Sequence, residues 1–259
     1  MKSSLPVLLE EQLAVARCIV AFTGAGMSAE SGVPTFRGPE GIWSKFRPEE
    51  LASMNAFLKN PALVWEWYAH RRRVIATVQP NAGHVALASM EQFYPSVVVV
   101  TQNIDNLHRR AGSSTVYELH GNIERNYCRG CGAVYYGDEV PLREGIPTCP
   151  ACNDLIRPDV VWFGEFLPED QWDAALRAAA SADVLLSIGT SGIVYPAAMI
   201  PTIGKQAGAF LVEVNPEQTP LSESADVSLR GSACEVLPRI VTAARSLRDA
   251  GTERRAGLT

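Results

Sequence analysis

Two Cys-x-x-Cys pairs constrain the fold of this chain more than any other feature of its sequence. Cys128 and Cys131 form the first pair, Cys149 and Cys152 form the second, and 17 residues separate the two pairs. Four thiolates with this spacing are typical of a structural zinc ribbon, in which a single Zn²⁺ ion has a closed tetrahedral site. A closed site leaves no position for a substrate, so we expect the catalytic residues to lie elsewhere.

Length, charge and hydropathy exclude several classes of protein. The chain has 259 residues, enough for one large domain with a smaller module, and its formal net charge is -5. An acidic chain lacks the basic surface that nucleic acid requires. The longest apolar runs are too short to span a bilayer, and Glu10 and Glu11 interrupt the only apolar stretch near the N-terminus. We therefore expect a cytoplasmic protein that binds neither nucleic acid nor membrane.

Short apolar strands alternate with helical patterns along the chain. The predicted strands are residues 18–23, 97–101, 184–189, 210–215 and 227–229, and the predicted helices are residues 84–93, 170–180, 196–207 and 235–247. Strands without polar alternation are buried on both faces, as in a parallel sheet covered by helices. The pattern predicts an α/β fold with a doubly wound, Rossmann-like parallel sheet.

Two segments interrupt this alternation. Residues 37–79 are rich in aromatic side chains and look helical, whereas residues 121–158 contain the zinc ribbon. We interpret both segments as insertions that pack together into a smaller module beside the sheet. The Rossmann-like domain then comprises residues 1–36, 80–120 and 159–249, and residues 250–259 form a flexible tail. The remaining cysteines, Cys18 and Cys234, are interpreted as inert core thiols.

A glycine-rich turn follows the first predicted strand. Residues 24–29 read Gly-Ala-Gly-Met-Ser-Ala, a G-x-G-x-x-A pattern between a strand and an expected helix. The first glycine permits a tight turn, the second lets a pyrophosphate approach the backbone, and the helix N-terminus supplies N–H groups. The following loop, with Phe36 and Arg37, suits a mobile cover over a cofactor. An ordinary surface loop with Phe36 in the core is the alternative.

Several motifs in order resemble the sirtuins, a family of NAD-dependent protein lysine deacylases. Residues 24–37 are similar to the first signature of that family, residues 101–108 (Thr-Gln-Asn-Ile-Asp-Asn-Leu-His) to the second, and residues 119–122 (Leu-His-Gly-Asn) to the third. Residues 189–191 and 214–216 resemble its later cofactor-binding turns. The resemblance extends from about residue 15 to residue 241, nearly the whole chain.

The resemblance implies a role for each matching residue. His120 would be the general base, and Asn103 would position a water molecule or a ribose hydroxyl. Phe36 would shield the nicotinamide, and Asp105 would hold its carboxamide. The residues implied to bind NAD are Gly24, Ala25, Gly26, Ser28, Ala29, Pro34, Phe36, Arg37, Trp43, Gln102, Asn103, Ile104, Asp105, Gly189, Thr190, Ser191, Asn215, Pro216, Glu217 and Ala233.

The implied reaction moves an acyl group from a lysine to the ADP-ribose part of NAD. It consumes one water molecule, releases nicotinamide and yields free lysine and 2'-O-acyl-ADP-ribose. A histidine with its ordinary pKa near 6.5 can accept a proton at neutral pH, as the base of this reaction must. The implied partners are acyl-lysine proteins or peptides, and we expect a monomer. Segments 160–165 and 192–195 resemble those that hold the substrate backbone as an added strand, with Val161, Phe163, Gly164, Glu165 and Val194 as contacts.

A helix predicted to begin at Asn60 and Pro61 carries residues that could select the acyl group. Tyr68 and Arg71 are three residues apart and share a face, where a hydroxyl and a guanidinium could bind a carboxylate. Spacing alone does not choose between Arg71 and Arg72, and a solvated patch formed by residues 71–73 is the alternative.

Tyr68-x-x-Arg71 resembles the motif of class III sirtuins, which remove succinyl and malonyl groups, and the small Ala52 matches a position that leaves the acyl pocket roomy. We therefore predict removal of succinyl, malonyl and acetyl groups. Three other functions are weighed against this one. The first is ADP-ribosyl transfer to protein at the same NAD site, the second is a non-enzymatic zinc-ribbon interaction module that senses nucleotide, and the least favoured is a dehydrogenase.

Overall fold

The computed structural model describes residues 5–35 and 48–256. The strands of this part are β1 Cys18–Thr23, β2 Ser96–Thr101, β3 Val116–Glu118, β4 Gly121–Cys128, β5 Val134–Tyr136, β6 Leu142–Arg143, β7 Ile146–Pro147, β8 Ile156–Val160, β9 Val184–Ile188, β10 Phe210–Val214 and β11 Val227–Leu229. Its α-helices are α1 Val7–Val15, α2 Pro48–Leu51, α3 Met54–Lys59, α4 Pro61–Thr77, α5 Ala82–Met90, α6 Leu107–Arg110, α7 Glu169–Ala180, α8 Ile200–Gln206 and α9 Ala233–Ala256.

A parallel sheet of six strands forms the centre of the larger part of the molecule. Its strand order is β11-β10-β9-β1-β2-β3, so the chain moves outward from β1 in one direction and then returns to the other side. Ile19 and Ala21 of β1 belong to one buried apolar cluster, and Val20 and Phe22 belong to another. Because neighbouring side chains of a strand point to opposite faces, both faces of the sheet are covered.

Helices cover the two faces of this sheet. Helices α1, α5 and α9 contribute Leu9, Leu87 and Ile240, among others, to the cluster on one face. Helices α7 and α8 contribute Ala175 and Ile200 to the cluster on the other. The predicted doubly wound, Rossmann-like α/β fold is therefore confirmed. In the part of the chain that the structure describes, no helix combines the length and apolar character needed to cross a membrane.

Most predicted elements of this sheet are present with small shifts at their ends. The predicted helix 196–207 begins with a 3-10 turn at Ala197–Met199 before α8, and α9 extends to Ala256, into the segment predicted as a tail. Strand β3 was not predicted. It has three residues, lies at the edge of the sheet and ends in a charged residue, so it lacks the apolar run that marked the other strands.

The remaining strands and helices form a second, smaller core. Strands β4, β5 and β8 make an antiparallel sheet, and β6 and β7 make a short hairpin. Phe57 and Trp65 of the helical segment pack in one apolar cluster with Ile123, Cys128 and Ile156 of the ribbon. We propose on this basis that the two insertions form a single module.

The junction between the sheet and the ribbon requires a glycine. Gly121 begins β4 with φ +79°, a left-handed conformation that side chains disfavour. A Cβ atom at this position would lie 2.1 Å from the carbonyl oxygen of Asp159. The close approach of β4 to β8 therefore sets the course of the backbone immediately after His120.

Candidate functional site

The turns after β1 and β9 meet at the carboxyl edge of the sheet, on the two sides of the point where the strand order reverses. Ligands of doubly wound sheets bind at such a point. Gly26 donates its N–H to the carbonyl oxygen of Gly189 at 2.8 Å, and a Cβ atom on Gly26 would lie 2.8 Å from the Cα of Gly189. Glycine at position 26 is therefore required even without a bound phosphate, because the backbone of the neighbouring turn already excludes a side chain there.

The segment after the first turn differs from the sequence prediction. Two 3-10 turns, Ala25–Met27 and Ala29–Ser31, take the place of the expected α-helix. Gly32 then adopts φ +91°, and Pro34 follows two residues later, which prevents the turns from continuing as a helix. Ala29 and Pro34 are exposed, and Ala25 and Gly26 are half-buried. Phe36, Arg37 and Trp43 lie outside the described residues.

Asn103 joins the turn after β1 to the loop after β2. Its side-chain nitrogen donates to the carbonyl oxygen of Gly24 at 3.0 Å and to the hydroxyl of Ser28 at 3.2 Å. Its backbone N–H donates to Thr101 Oγ1 at 3.0 Å. Asn103 and Ser28 are both buried, so this contact fixes two of the predicted cofactor-binding segments relative to each other.

A buried carboxyl group lies next to this contact. Burial raises the pKa of Asp105, while the Ser28 hydroxyl, the Leu107 N–H and the positive charge of Arg71 act in the opposite direction. The Leu107 N–H donates to Asp105 Oδ1 at 3.0 Å. The neighbouring Ile104 is also buried, and its carbonyl oxygen accepts from the N–H of Ile123 in β4. A carboxyl group held in this way can accept hydrogen bonds from an amide.

His120 has its tautomer set by a backbone carbonyl. His120 Nδ1 lies 3.0 Å from the carbonyl oxygen of Gln102. Because a carbonyl only accepts, Nδ1 must carry the proton and donate it, which leaves Nε2 of the neutral ring as a base. Burial lowers the pKa of His120 below 6.5, and the hydrogen bond to Gln102 partly opposes that shift.

The other predicted cofactor residues lie on the turns after β9 and β10. The side chain of Gln102 donates from Nε2 to the hydroxyl of Thr190 at 3.1 Å. The side chain of Asn215 donates from Nδ2 to the carbonyl oxygen of Thr190 at 2.9 Å. The N–H of Glu217 donates to Asn215 Oδ1 at 3.2 Å. Ser191, Pro216 and Glu217 are exposed at the rim, whereas Ala233 is buried where α9 begins.

The predicted acyl-selecting residues lie in the small module. Asn60 Oδ1 accepts from the Leu63 N–H at 3.2 Å, with Pro61 in the first helical position, so the predicted start of α4 is confirmed. Tyr68 and Arg71 are buried, with 1% and 9% of their surfaces exposed. The guanidinium carbon of Arg71 lies 4.9 Å from the centre of the Trp67 ring.

The two arginines that the sequence left open have different partners. Arg72 donates from Nε to Asp138 Oδ1 at 2.5 Å and lies over the ring of Trp65. Arg71 interacts electrostatically with Tyr68 and Asp105, on the side of the cofactor-binding loop. Because both arginines are buried and Arg73 alone of the three is exposed, the interpretation of residues 71–73 as a solvated patch is wrong.

Backbone hydrogen bonds attach the predicted peptide-binding segment to the site. The N–H of Val161 donates to the carbonyl oxygen of His120, and the N–H of Phe163 donates to the carbonyl oxygen of Ala52, both at 3.0 Å. Ala52 is buried and Phe163 is half exposed. Gly164 has φ +87° and turns the segment back.

Glu165, also a predicted contact, uses its carboxylate within the protein. Its oxygens accept from Arg157 at 2.5 and 2.9 Å, and Oε2 also accepts from the Trp162 N–H at 2.8 Å. Val194, on the second predicted peptide-binding segment, is half-buried and accepts from the N–H of Ala198 through its carbonyl oxygen.

The four cysteine sulfur atoms form one cluster. All lie within 4.8 Å of one another, with 3.3 Å between Cys128 and Cys152 and 3.6 Å between Cys131 and Cys149. A tetrahedral Zn²⁺ ion with four thiolates requires sulfur atoms roughly 3.8 Å apart, so the donor set and its dimensions suit zinc.

Each cysteine pair forms the same tight turn. Gly132 and Asn153, the residues after each pair, have φ +72° and +61°, and each donates its N–H to the first cysteine's carbonyl oxygen. Glycine and asparagine are the residues that adopt this conformation most readily. The sequence thus provides the turn chemistry as well as the thiols.

A polar network beneath the site was not predicted. Thr23 Oγ1 lies 2.9 Å from His108 Nε2 and donates to Thr101 Oγ1 at 2.8 Å. His84 packs beside His108 with ring centres 4.8 Å apart, and burial lowers the pKa of His84 to about 4. The one local signal was Asn81 three residues before His84, which is a capping pattern that the structure contains.

Comparisons with known proteins agree with this geometry. The model of the Sir2 family matches residues 24–196. An NAD-dependent protein deacylase 2 of Pyrobaculum aerophilum is 55% identical over 229 residues, which cover 88% of this chain and 92% of that protein. A Sir2 homologue solved with NAD has a TM-score of 0.87 at 45% identity, covering 94% of this chain and 95% of the other.

A triple variant of Sir2 homologues solved with 2'-O-acetyl ADP ribose has a TM-score of 0.88 at 45% identity, and the match covers 94% of this chain and 98% of the other. These matches extend over most of the sequence. They include the parallel sheet, the four-cysteine cluster and the turns at the carboxyl edge of the sheet. The chain therefore belongs to the Sir2 family.

Proposed function

We propose that this chain is an NAD-dependent protein lysine deacylase that removes succinyl, malonyl and acetyl groups. The names of its relatives and the bound NAD and 2'-O-acetyl ADP ribose of similar structures support the reaction class. The burial of Arg71 beside Tyr68 carries the acyl preference, because a guanidinium and a hydroxyl side by side can together bind the carboxylate of a negatively charged acyl group.

The residues at the carboxyl edge of the sheet suit NAD. Asp105 would accept from the carboxamide, and the turns at Thr190 and Asn215 would bind the adenosine half. Phe36, Arg37 and Trp43 retain their predicted roles in the cofactor loop. When bound, NAD supplies a glycosidic bond whose cleavage releases nicotinamide and leaves a ribose that accepts the acyl group. One structural zinc ion, bound by the four cysteines, stabilises the ribbon.

His120 is the general base of this proposal. Its Nε2 carries the lone pair, since Nδ1 donates to the Gln102 carbonyl. It would take the proton of a ribose hydroxyl as that oxygen attacks the acyl carbon. Asn103 holds the turns that flank the ribose, so we assign it the positioning of that ribose or of a water molecule. The lowered pKa of His120 keeps the ring neutral at physiological pH, as a base requires.

Tyr68 and Arg71 would bind the terminal carboxylate of a succinyl or malonyl group. Arg72 is excluded from this role because Asp138 already neutralises its charge. A charge-assisted hydrogen bond contributes about 1.5–3 kcal/mol. The preference for acidic acyl groups should therefore be about ten- to a hundredfold stronger in the wild type than in a variant that lacks the pair. Acetyl-lysine, which is smaller and neutral, would still enter the pocket beside Ala52.

The peptide would lie as an added strand between the segments that contain Val161 and Val194. Phe163, Gly164 and Glu165 belong to the same segment as Val161. Such binding uses backbone hydrogen bonds more than side chains, so loose sequence selectivity is expected. The monomeric state and the cytoplasmic location expected from the sequence remain predictions.

The decisive experiment uses one peptide in acetyl-, malonyl-, succinyl- and unmodified forms. Each form is incubated with the purified chain and NAD, and the products are identified by mass spectrometry. We expect free lysine, nicotinamide and the matching acyl-ADP-ribose from the three acylated forms only. Equal consumption of NAD with the unmodified peptide would contradict the proposal. ADP-ribose attached to a protein acceptor would instead support the transferase alternative.

A further inference from the structure

We infer that Trp162 is a positioning residue for acyl selectivity, acting by orienting the Tyr68 hydroxyl toward an acceptor on the acyl group. The inference rests on the proposed deacylase function and adds a residue to its acyl site. The observation behind it is a single hydrogen bond: Trp162 Nε1 donates to the Tyr68 hydroxyl oxygen at 2.9 Å. Both side chains are almost wholly buried, at 2% and 1% exposure.

The direction of this hydrogen bond is fixed by chemistry. An indole nitrogen donates and never accepts, so the Tyr68 oxygen must be the acceptor. The proton of the Tyr68 hydroxyl therefore points to a different partner. Arg71 is beside it, with its guanidinium carbon 6.0 Å from the centre of the Tyr68 ring, and a guanidinium also only donates.

Two donors side by side favour a ligand group that only accepts. A carboxylate has two such oxygens, whereas the methyl group of an acetyl-lysine has none. If the indole N–H were absent, nothing would fix the orientation of the Tyr68 hydroxyl on this side. The indole therefore keeps the Tyr68 hydroxyl oriented as a donor toward the ligand.

Trp162 is itself held rigidly, as a positioning residue must be. The guanidinium carbon of Arg157 lies 3.5 Å from the centre of the indole ring, and the ring of Phe57 lies 5.2 Å away. Arg157 is in turn held by both carboxylate oxygens of Glu165. The carboxylate of Glu165 thus contributes to the acyl site indirectly, through Arg157 and the indole.

The chain contains a matched control. Trp65 packs in the same apolar cluster and is similarly buried, and its Nε1 donates to the carbonyl oxygen of Ile156 at 2.8 Å. Trp65→Phe removes an indole, its volume and a hydrogen bond without touching the Tyr68 hydroxyl. Its kcat/KM values show what the loss of a buried indole in this module does to activity by itself.

The experiment measures kcat/KM for succinyl- and acetyl-lysine forms of one peptide in the wild type, Trp162→Phe, Trp65→Phe, Tyr68→Phe and the Tyr68→Phe/Trp162→Phe double variant. We expect Trp162→Phe to lower the succinyl-to-acetyl ratio about tenfold, the range of one hydrogen bond. Trp65→Phe should leave the ratio unchanged. In the Tyr68→Phe background, Trp162→Phe should change the ratio no further, because the two residues act through one hydroxyl.

Two results would overturn the inference while leaving the deacylase proposal intact. One is an equal loss on both acyl groups in Trp162→Phe, and the other is an undiminished effect of Trp162→Phe when Tyr68 is already phenylalanine. A wild type that never removes succinyl groups would overturn the acyl preference and this inference together. Should Trp162→Phe fail to fold, benzothienylalanine at position 162 keeps the bicyclic shape without the N–H and serves the same comparison.

Discussion

His120 holds its Nδ1 3.0 Å from the backbone carbonyl oxygen of Gln102, so the main chain rather than an acidic side chain chooses the tautomer. The same Gln102 donates from its side chain to Thr190, so one residue of the loop after β2 contacts both His120 and the turn after β9. A carbonyl orients the imidazole without adding a negative charge. Burial therefore dominates, and the pKa of His120 falls rather than rises.

The first prediction concerns the pH dependence of turnover. If His120 is the general base, as proposed, it works only as the neutral imidazole, so kcat should be high above its pKa and should fall as the pH drops through that pKa. Because burial lowers the pKa below 6.5, the midpoint of the acid limb should lie below pH 6.5. Measuring kcat for deacylation with saturating NAD and peptide from pH 4.5 to pH 8 tests this.

Two further observations bear on the same assignment. His120→Tyr should abolish deacylation while circular dichroism and zinc content stay at wild-type values. A midpoint above pH 6.5, or turnover retained in the variant, would remove His120 from the role of base.

The second prediction separates the two buried arginines. Arg71→Met should reduce kcat/KM for a succinyl-lysine peptide about ten- to a hundredfold, and that for the acetyl form much less, because a charge-assisted contact to the carboxylate is lost. Arg72→Met is the control. It breaks the ion pair with Asp138 and should lower stability without changing the succinyl-to-acetyl ratio. Equal losses on both peptides in Arg71→Met would contradict the assignment.

The difference between these arginines shows where sequence reasoning ends. Helix periodicity predicted that residues 68, 71 and 72 share a face of α4, and the structure shows that all three are buried. It could not assign the partners, because Asp138 is 66 positions away in the chain and meets Arg72 only after the ribbon packs against the helix. Tertiary contacts of this kind decide which acidic partner each of two similar side chains meets.

The turn after β1 shows a second limit. Its position was predictable from the apolar run that precedes it. Its backbone was not, since the same pattern that opens an α-helix in other doubly wound folds here forms 3-10 turns ended by Gly32. Strand β3 escaped prediction because it is a three-residue edge strand without an apolar run, and the ion pairs of Glu118 with Arg109 and Arg125 form only in the folded chain.

The third prediction concerns zinc. Removing the ion with a chelator should unfold the ribbon and abolish deacylation, because β4 begins directly after His120 and β8 leads into Val161. The helical signal of the larger sheet should largely remain, since its two apolar clusters contain no ribbon residues. Zinc content, circular dichroism and activity are the measurements. Cys149→Ser should behave like the chelated protein, and Cys18→Ser should bind one zinc ion and remain active.

The fourth prediction concerns a buried carboxylate beside the turn after β10, which is proposed to bind the adenosine half of NAD. Glu213 accepts from Ser222 Oγ at 2.6 Å and is ion-paired with Arg230 at 2.8 Å. Burial alone would raise the pKa of Glu213, but these partners and Thr219 lower it. Arg230 also donates to the carbonyl oxygen of Glu217 at 2.7 Å, so it supports the turn that follows β10.

Glu213→Gln should therefore raise the KM for NAD about tenfold with little change in kcat, the pattern expected when ground-state binding is lost. Steady-state kinetics with NAD as the varied substrate measure this. Lys205→Ala is the control, because it removes an ion pair with Asp226 that is partly exposed and touches no cofactor turn. A lower kcat at unchanged KM would show that Glu213 does not support the binding of NAD.

The last prediction concerns stability at low pH. Burial lowers the pKa of His84 to about 4, whereas the unfolded chain titrates near 6.5. Between these values the unfolded state binds a proton that the folded state does not, so the free energy of unfolding must fall as the pH falls from 6.5 to 4. The contribution of His84 amounts to about 3 kcal/mol over that range. Burial and the neighbouring His84 also lower the pKa of His108, which acts in the same direction.

His84→Gln tests this contribution without removing the helix cap. His84 Nδ1 accepts from the Asn81 N–H at 3.3 Å, and glutamine at the same position of a capping box can accept that hydrogen bond. Urea unfolding at pH 7, 6, 5 and 4.5 should show a weaker pH dependence in this variant than in the wild type. His70→Gln alters an exposed side chain and should keep the wild-type dependence. If both variants followed the wild-type curve, His84 would have to bind its proton equally well in the folded and unfolded states. That result would contradict its burial as an uncharged ring.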